Sequence, residues 1–291
     1  MDIKQIIDFL GLKEQEKIIL EILKNVQGKE FDSILNNAKN GQTSENLYKQ
    51  LKTLAEKKNI HEDTLGLVAI ISLAEMTHKD FLDKNCSEFF IGALEDVKHK
   101  IVESREWHSV FGMHSFEWVA DFFCFKMFAM GRLEFNVIEQ TEYEYNGIVK
   151  IKKGDRVLNV HIPSGSKLDI EQCYRSLQQA FDYFKDVRIN GYLPVLLTNW
   201  FLYPPFEKLF SPNGNLTKFK NLFDVIGSEN YSDYQRISKR VFNTLDYSNI
   251  DSLPQNTSLQ KNFTEWFKEG KPCGYGIGYL LFDGQKVVTG K

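Results

Sequence analysis

Residues 157–184 read VLNVHIPSGSKLDIEQCYRSLQQAFDYF, and the order of elements within that stretch decides the fold. The apolar run Leu158 to Ile162 predicts a strand, and the small and polar residues Pro163 to Leu168 predict a loop. A helix is expected to open at Asp169, where Asp169 and Gln172 have capping-box spacing and Leu177, Ala180, Phe181 and Phe184 recur at helical intervals. A helix start leaves backbone N–H groups without partners and carries partial positive charge, so a Gly/Ser loop feeding it can cradle an anion. At this point the junction fits both a phosphate site and a well-capped helix.

Working outward, the residues before it alternate with period two. Leu133, Phe135 and Val137 alternate with Arg132, Glu134 and Asn136, and Asn146-Gly147 predicts a tight hairpin between Tyr143/Tyr145 and Ile148/Val149/Ile151. Lys153-Gly154-Asp155 predicts a second turn, so three consecutive antiparallel strands precede the helix. After it, Leu193 to Leu197 predicts a strand parallel to the one ending at Ile162, because a crossover helix of that length suits a β-α-β unit. Phe206 to Phe210 predicts a short helix and Phe223–Ile226 with Gln235–Phe242 a pair of strands. Ser258 to Lys268 predicts a helix, and Tyr275 to Phe282 with a turn at Asp283-Gly284 a final hairpin.

Before Gly131 the period is helical. Phe31, Ile34, Leu35 and Ala38 share a face, as do Leu47, Leu51, Leu54 and Ala55, and Phe90, Leu94, Val97 and Ile101. Breaks fall near Gly11, Gly28, Gly41 and Asn59, with a helix start at Thr43. The apolar stretches Leu65–Ala74 and Phe116–Met130 are too short for a membrane span and predict buried helices, the second carrying Glu117, Asp121 and Lys126. The expectation is an α+β chain of two domains: a helical bundle over residues 1–130 and a mixed-sheet domain with a central helix over residues 131–291.

A charged fraction of 26% and a formal net charge of -3 are those of a globular protein without a nucleic-acid footprint. Cys86, Cys124, Cys173 and Cys273 lie far apart with no C-x-x-C pair, which predicts reduced thiols rather than zinc ligands or disulfides. The N-terminus lacks the pattern of a secretion signal. Together these predict a cytoplasmic protein that engages neither membrane nor nucleic acid.

Three antiparallel strands, a loop and helix at the end of the third, and a parallel strand after that helix form the order of the GNAT acyltransferase core. More closely, the chain resembles a bacterial family of acyltransferases with a helical N-terminal domain and a GNAT-like C-terminal domain. The resemblance is carried by Gly131-Arg132-Leu133-Glu134-Phe135, by Leu158-Asn159-Val160-His161-Ile162-Pro163 with Ser164-Gly165, and by the helix with Cys173, Ser176 and Ala180. It implies that the loop and helix start hold the pyrophosphate of acyl-coenzyme A as co-substrate, and that an acyl group passes to an amine. The chain departs from the usual GNAT signature Arg/Gln-x-x-Gly-x-Gly/Ala, having Ser164-Gly165-Ser166-Lys167 in its place.

Under that resemblance the binding candidates are Val160, Ile162, Ser164, Gly165, Ser166, Lys167 and Asp169. Ser164, Ser166 and Lys167 would offer hydroxyl and ammonium donors, and the Val160 or Ile162 backbone an oxyanion contact. His161 is the candidate base, since an ordinary histidine titrates near neutrality, and Glu134 is the second. Tyr203 is the candidate donor to the leaving thiolate, with Tyr192 as an alternative. The missing signature points to a rival: a non-catalytic GNAT-like module that senses a ligand or binds a protein.

No metal is expected, because His108 and His114 are six apart across a segment broken by Gly112. Gly274-x-Gly-x-Gly278 precedes a strand with no helix after it and so fails as a dinucleotide fingerprint. Cys173 is expected to pack rather than react, and the absence of G-x-S-x-G argues against a serine hydrolase.

Overall fold

Glycines and left-handed residues punctuate the first part of the chain at the expected places. In the computed structural model, which describes residues 1–140, 142–231 and 233–290, helix α1 (Ile3–Phe9) ends at Gly11. Helices α2 (Glu16–Val26) and α3 (Lys29–Lys39) are separated by Gly28, which has φ +142°. Helix α4 (Ser44–Lys58) is capped by Thr43, whose hydroxyl accepts from Asn46 N, and ends at Asn59 in the left-handed region. Helix α5 (Glu62–Asp83) contains the apolar run Leu65–Ala74 and is buried nearly all round by α1, α2, α3, α4, α6 (Ser87–His108) and α7 (Phe116–Phe123). Gly66 permits one of these approaches, since a Cβ there would stand 2.1 Å from the Phe116 ring.

The helix expected over Phe116–Met130 stops at Phe123. Lys126 N and Met127 N both donate to Asp121 O while Phe125 takes φ +56°, and the chain reverses into a short strand β1 (Phe128–Met130). Apolar character alone did not distinguish a buried helix from a buried turn and strand.

The chain divides into two compact units: Met1–Met130 with Pro163–Gly165, and Gly131–Ile162 with Ser166–Lys291. In the second unit, β2 (Leu133–Glu139) pairs antiparallel with β5 (Arg156–His161), and β5 runs parallel to β6 (Leu193–Asn199). The intervening residues form a separate hairpin, β3 (Tyr145–Asn146) and β4 (Lys150–Ile151), instead of a middle strand. Its register, Asn146↔Lys150, leaves a three-residue loop in place of the two-residue Asn-Gly turn expected. Helix α8 (Ile170–Tyr183) crosses from β5 to β6. Helix α9 (Asn215–Lys220) leads into β7 (Asp224–Tyr231), and β8 (Cys273–Phe282) lies between β6 and β7, giving the order β2-β5-β6-β8-β7.

Gln235–Val241 is helix α10, a correction to the strand expected there: Ile237, Ser238 and Val241 are its buried residues, a helical spacing. Helix α11 (Ser258–Lys268) lies where the sequence predicts it. The Gly274, Gly276 and Gly278 triplet has a packing role. A Cβ at Gly276 would stand 2.1 Å from Leu202 O, so the turn after β6 lies directly on the sheet there.

Register assigns the faces of the sheet. Tyr145, Val149 and Ile151 of the hairpin pack with Val157, Leu196, Ile277, Tyr279 and Leu281, which therefore share one face. On the opposite face α8 packs through Phe181 against Phe282, and Ser176 Oγ accepts from Arg132 N and Leu133 N.

Candidate functional site

Strand β5 ends differently on its two sides. Toward β2 it is in register from Glu139↔Arg156 through Glu134↔His161, and β6 is in register with β8 out to Asn199↔Gly276. Between β5 and β6, among the described residues, the register covers Leu158↔Val195 and Asn159↔Leu196 and stops, although both strands continue. The N-terminal ends, Arg156–Val157 and Leu193–Pro194, are likewise outside the register, and we term the unpaired C-terminal stretch between the two strands, each held by its outer neighbour, the wedge. Val160 and His161 lie along one side of it, and Leu197, Thr198 and Asn199 along the other.

Alternation places Glu134, Asn136, Asn159 and His161 on the face that carries the hairpin. Glu134 and His161 are directly opposed, which sets their Cβ atoms about 5 Å apart. His161 Nε2 is 2.9 Å from Asn136 Oδ1 and 2.9 Å from Asn159 Nδ2, and Asn159 Nδ2 donates to Asn136 Oδ1 at 3.2 Å. A neutral ring suits this triangle, because Nε2 either donates to Oδ1 or accepts from Nδ2 according to tautomer. Burial drives the pKa of His161 down from 6.5 to about 4, which replaces the near-neutral titration expected from residue type. Nothing in sequence marked the two asparagines as partners of His161; only the pairing of strands some twenty residues apart assembles them.

Glu134 is itself buried, at 4% exposure, on the strand that begins beside Arg132. Arg132, 6% exposed, was expected to alternate outward with the polar residues. Instead its guanidinium donates from Nε to Lys167 O and from Nη2 to Ser166 O, both at 2.9 Å. Burial lowers its pKa, with Cys173 and Glu134 acting in the opposite sense. Gly131, at φ +67°, allows the preceding turn, and Ser176 secures the strand start through its two accepted bonds and a bond donated to Gln172 O. Arg132 thus shapes the second half of the loop by its carbonyls.

The first half, Pro163–Gly165, belongs to the helical unit. Ser164 Oγ donates to Glu103 Oε1 at 2.5 Å, so the hydroxyl expected to offer a proton to an anion gives it to a carboxylate. Gly165 has φ +93°, and a Cβ on it would fall 1.9 Å from the His99 ring. Lys167 is exposed, and Asp169 caps α8 by accepting from Gln172 N at 3.0 Å, one limb of the expected capping box. Glu171 adds a second carboxylate to that first turn.

Tyr203 stands elsewhere. Its hydroxyl donates to Asn230 Oδ1 on β7 at 2.6 Å, three strands from β5, or roughly 14 Å at ordinary strand spacing. Burial raises its pKa, with Cys273 adding to the effect. The structure therefore brings Glu134 and His161 together and leaves Tyr203 apart from them. Tyr192 precedes β6, where its backbone pairs with Ile189, at the end of the strand away from the wedge. Burial pushes the Cys173 and Cys273 thiols up to about 12 and that of Cys124 to about 11, which makes all three poor nucleophiles. Among the described residues no cluster of three or more His, Cys, Asp or Glu side chains could hold a metal, and no helix is long and apolar enough to cross a membrane.

The family model described as a GNAT-like C-terminal domain matches residues 127–280, just over half of the chain. Several solved structures are similar over 96% of this chain and 99% of their own. An acyltransferase in complex with decanoyl-CoA and teicoplanin has a TM-score of 0.68 at 15% identity, and an acyltransferase with decanoyl-CoA alone a TM-score of 0.66 at 15%. A third, with CoA and 10C-teicoplanin, has a TM-score of 0.65 at 15%. At this identity the likeness concerns the fold. No curated protein matches the chain significantly.

Proposed function

The chain belongs to the family with the GNAT-like C-terminal domain, and on that premise we propose that it is an acyltransferase moving an acyl group from acyl-coenzyme A to an amine. The observation that carries this reading is the wedge between β5 and β6. Released strand edges offer N–H and C=O groups to a ligand, and the amide-bearing arm of coenzyme A is matched to such an edge. The complexes of the similar acyltransferases with acyl-CoA support the choice of donor.

In this reading the amine nitrogen attacks the thioester carbonyl carbon, the C–S bond breaks, and one proton passes from nitrogen to the leaving thiolate. A backbone N–H of Val160 or Ile162 meets the developing oxyanion. Gly165, Ser166 and Lys167 with the α8 start at Asp169 face the pyrophosphate, and Lys167 supplies the positive charge. Ser164 acts by holding the loop, since its hydroxyl is bonded to Glu103. His161, neutral above about pH 4, orients the amine by hydrogen bonding, and Glu134 relays the proton, taking it from the nitrogen and returning it to the sulfur, which leaves as the thiol. Tyr203 has no part, because its hydroxyl is bonded to Asn230. The helical unit and the mixed-sheet unit are read as the two domains of one enzyme.

Calorimetry with acetyl-CoA, decanoyl-CoA and free coenzyme A tests this directly. Saturable binding of an acyl-CoA is expected, and no heat with any of the three at millimolar concentration would sink the proposal. The rival reading, a ligand-binding module without turnover, is favoured by the commitment of Ser164 to Glu103 and by two carboxylates at the α8 start. It predicts acyl-CoA binding with no thiol release across a panel of primary amines.

A further inference from the structure

Helix α6 carries two lysine–glutamate pairs at i,i+3 spacing that differ in surroundings. Lys98 and Glu95 are 2.9 Å apart with side chains 33% and 49% exposed, an ordinary surface pair. Lys100 and Glu103 are also 2.9 Å apart, but their side chains are 12% and 8% exposed. A buried carboxylate is costly unless its oxygens are fully engaged. Glu103 meets that condition: Oε2 faces Lys100 Nζ and His114 Nε2, the latter at 3.6 Å, and Oε1 accepts from Ser164 Oγ. One turn earlier on the same helix, His99 fills the space that a side chain at residue 165 would occupy. Two residues of α6, Glu103 and His99, therefore meet one short stretch, Pro163–Gly165, which clusters with the helices instead of with the sheet that precedes it, and Lys100 supports Glu103.

We propose that Glu103 is a positioning residue for coenzyme binding: by holding Ser164 it fixes the loop between β5 and α8 in the conformation that receives the phosphates. The proposal rests on the acyl-coenzyme A reading above. Ser164 is then a strut between helix and loop, and the Ser-Gly-Ser-Lys sequence departs from the usual signature because part of its order comes from α6. A loop fixed before binding loses less entropy when the ligand arrives, so the effect falls on affinity and not on the chemical step.

Two measurements on the full chain decide it. Hydrogen exchange without coenzyme is expected to quicken at least tenfold over residues 164–168 in Glu103→Gln, with residues 173–183 unchanged. Equal exchange in variant and wild type overturns the proposal. In turnover, KM for acyl-CoA is expected to rise about tenfold with kcat within twofold in Glu103→Gln. Ser164→Ala, which leaves the Lys100 pair intact, should reproduce the rise, and the double variant should be no worse than either single one. An unchanged KM despite a loosened loop, or losses that add, overturns the proposal. Absence of acyl-CoA binding in the wild type would sink the functional reading itself, a distinguishable outcome because the exchange measurement uses no coenzyme.

Discussion

Strand β5 faces β2 on one side and β6 on the other, and the two edges behave differently. The β2 edge is in register over six positions, from Arg156 to His161, and the β6 edge over two, Leu158 and Asn159. The same six residues thus complete a ladder on one side and abandon it on the other. Strand propensity does not account for this, because Val160 and Leu197 are as apolar as their paired neighbours. What differs is the outer support: β2 carries β5 to its end, and β8 carries β6 to Asn199, so both strands stay extended where they no longer pair with each other. A sheet can form a binding edge in its interior when the elements outside it hold the geometry.

Breaking the outer support should have the largest effect. Gly276→Val places a side chain against Leu202 O, a backbone atom that cannot yield, and should cost about 3 kcal/mol in chemical denaturation while also abolishing acyl-CoA binding. Arg132→Met removes both bonds to the Ser166 and Lys167 carbonyls. A loss of about 2 kcal/mol is expected, the lost charged hydrogen bonds being partly offset by relief of a buried charge.

His161 sets a pH dependence of stability. Its pKa is about 4 in the folded chain against 6.5 for the ordinary group, so between those values the unfolded chain holds more protons. Stability should then fall as pH drops from 6.5 toward 4. Urea titrations at both ends of that window should show a smaller difference for His161→Gln, and an equal difference would mean that other groups set the slope. The smallest stability change is expected for Thr198→Trp, an exposed position on the inner edge of β6. It should alter stability by no more than about 0.5 kcal/mol. The bulk at the mouth of the wedge should nevertheless weaken decanoyl-CoA more than acetyl-CoA, as read by calorimetry.

The sequence made the scaffold legible where one element suffices to produce a pattern. Asp169, Gln172 and the spacing of Leu177 and Ala180 predicted α8, and the apolar run Leu193–Leu197 predicted a parallel strand, both as found. Helices first and a mixed sheet with a central helix after them is likewise the order observed. Features that depend on pairing between distant segments were not legible. Asn136 and Asn159 meet His161 because β2 and β5 adopt one register, and Arg132 is buried because two loop carbonyls receive its guanidinium. Glu103 had no mark at all, since an i,i+3 lysine partner is the usual sign of a solvated helix face. The helix at Gln235–Val241 was missed because seven residues with three apolar or small positions satisfy either period.

The central claim, that the wedge between β5 and β6 receives the acyl-coenzyme A arm, is tested most directly by backbone amide shifts during titration with decanoyl-CoA. The account predicts shifts at Val160–Ile162, Gly165–Lys167 and Leu197–Asn199, with Phe135–Val137 and Leu280–Phe282 unmoved. Saturable shifts confined to another surface, such as the cavity of the helical unit lined by Ile18, Arg105 and Phe111, would contradict it.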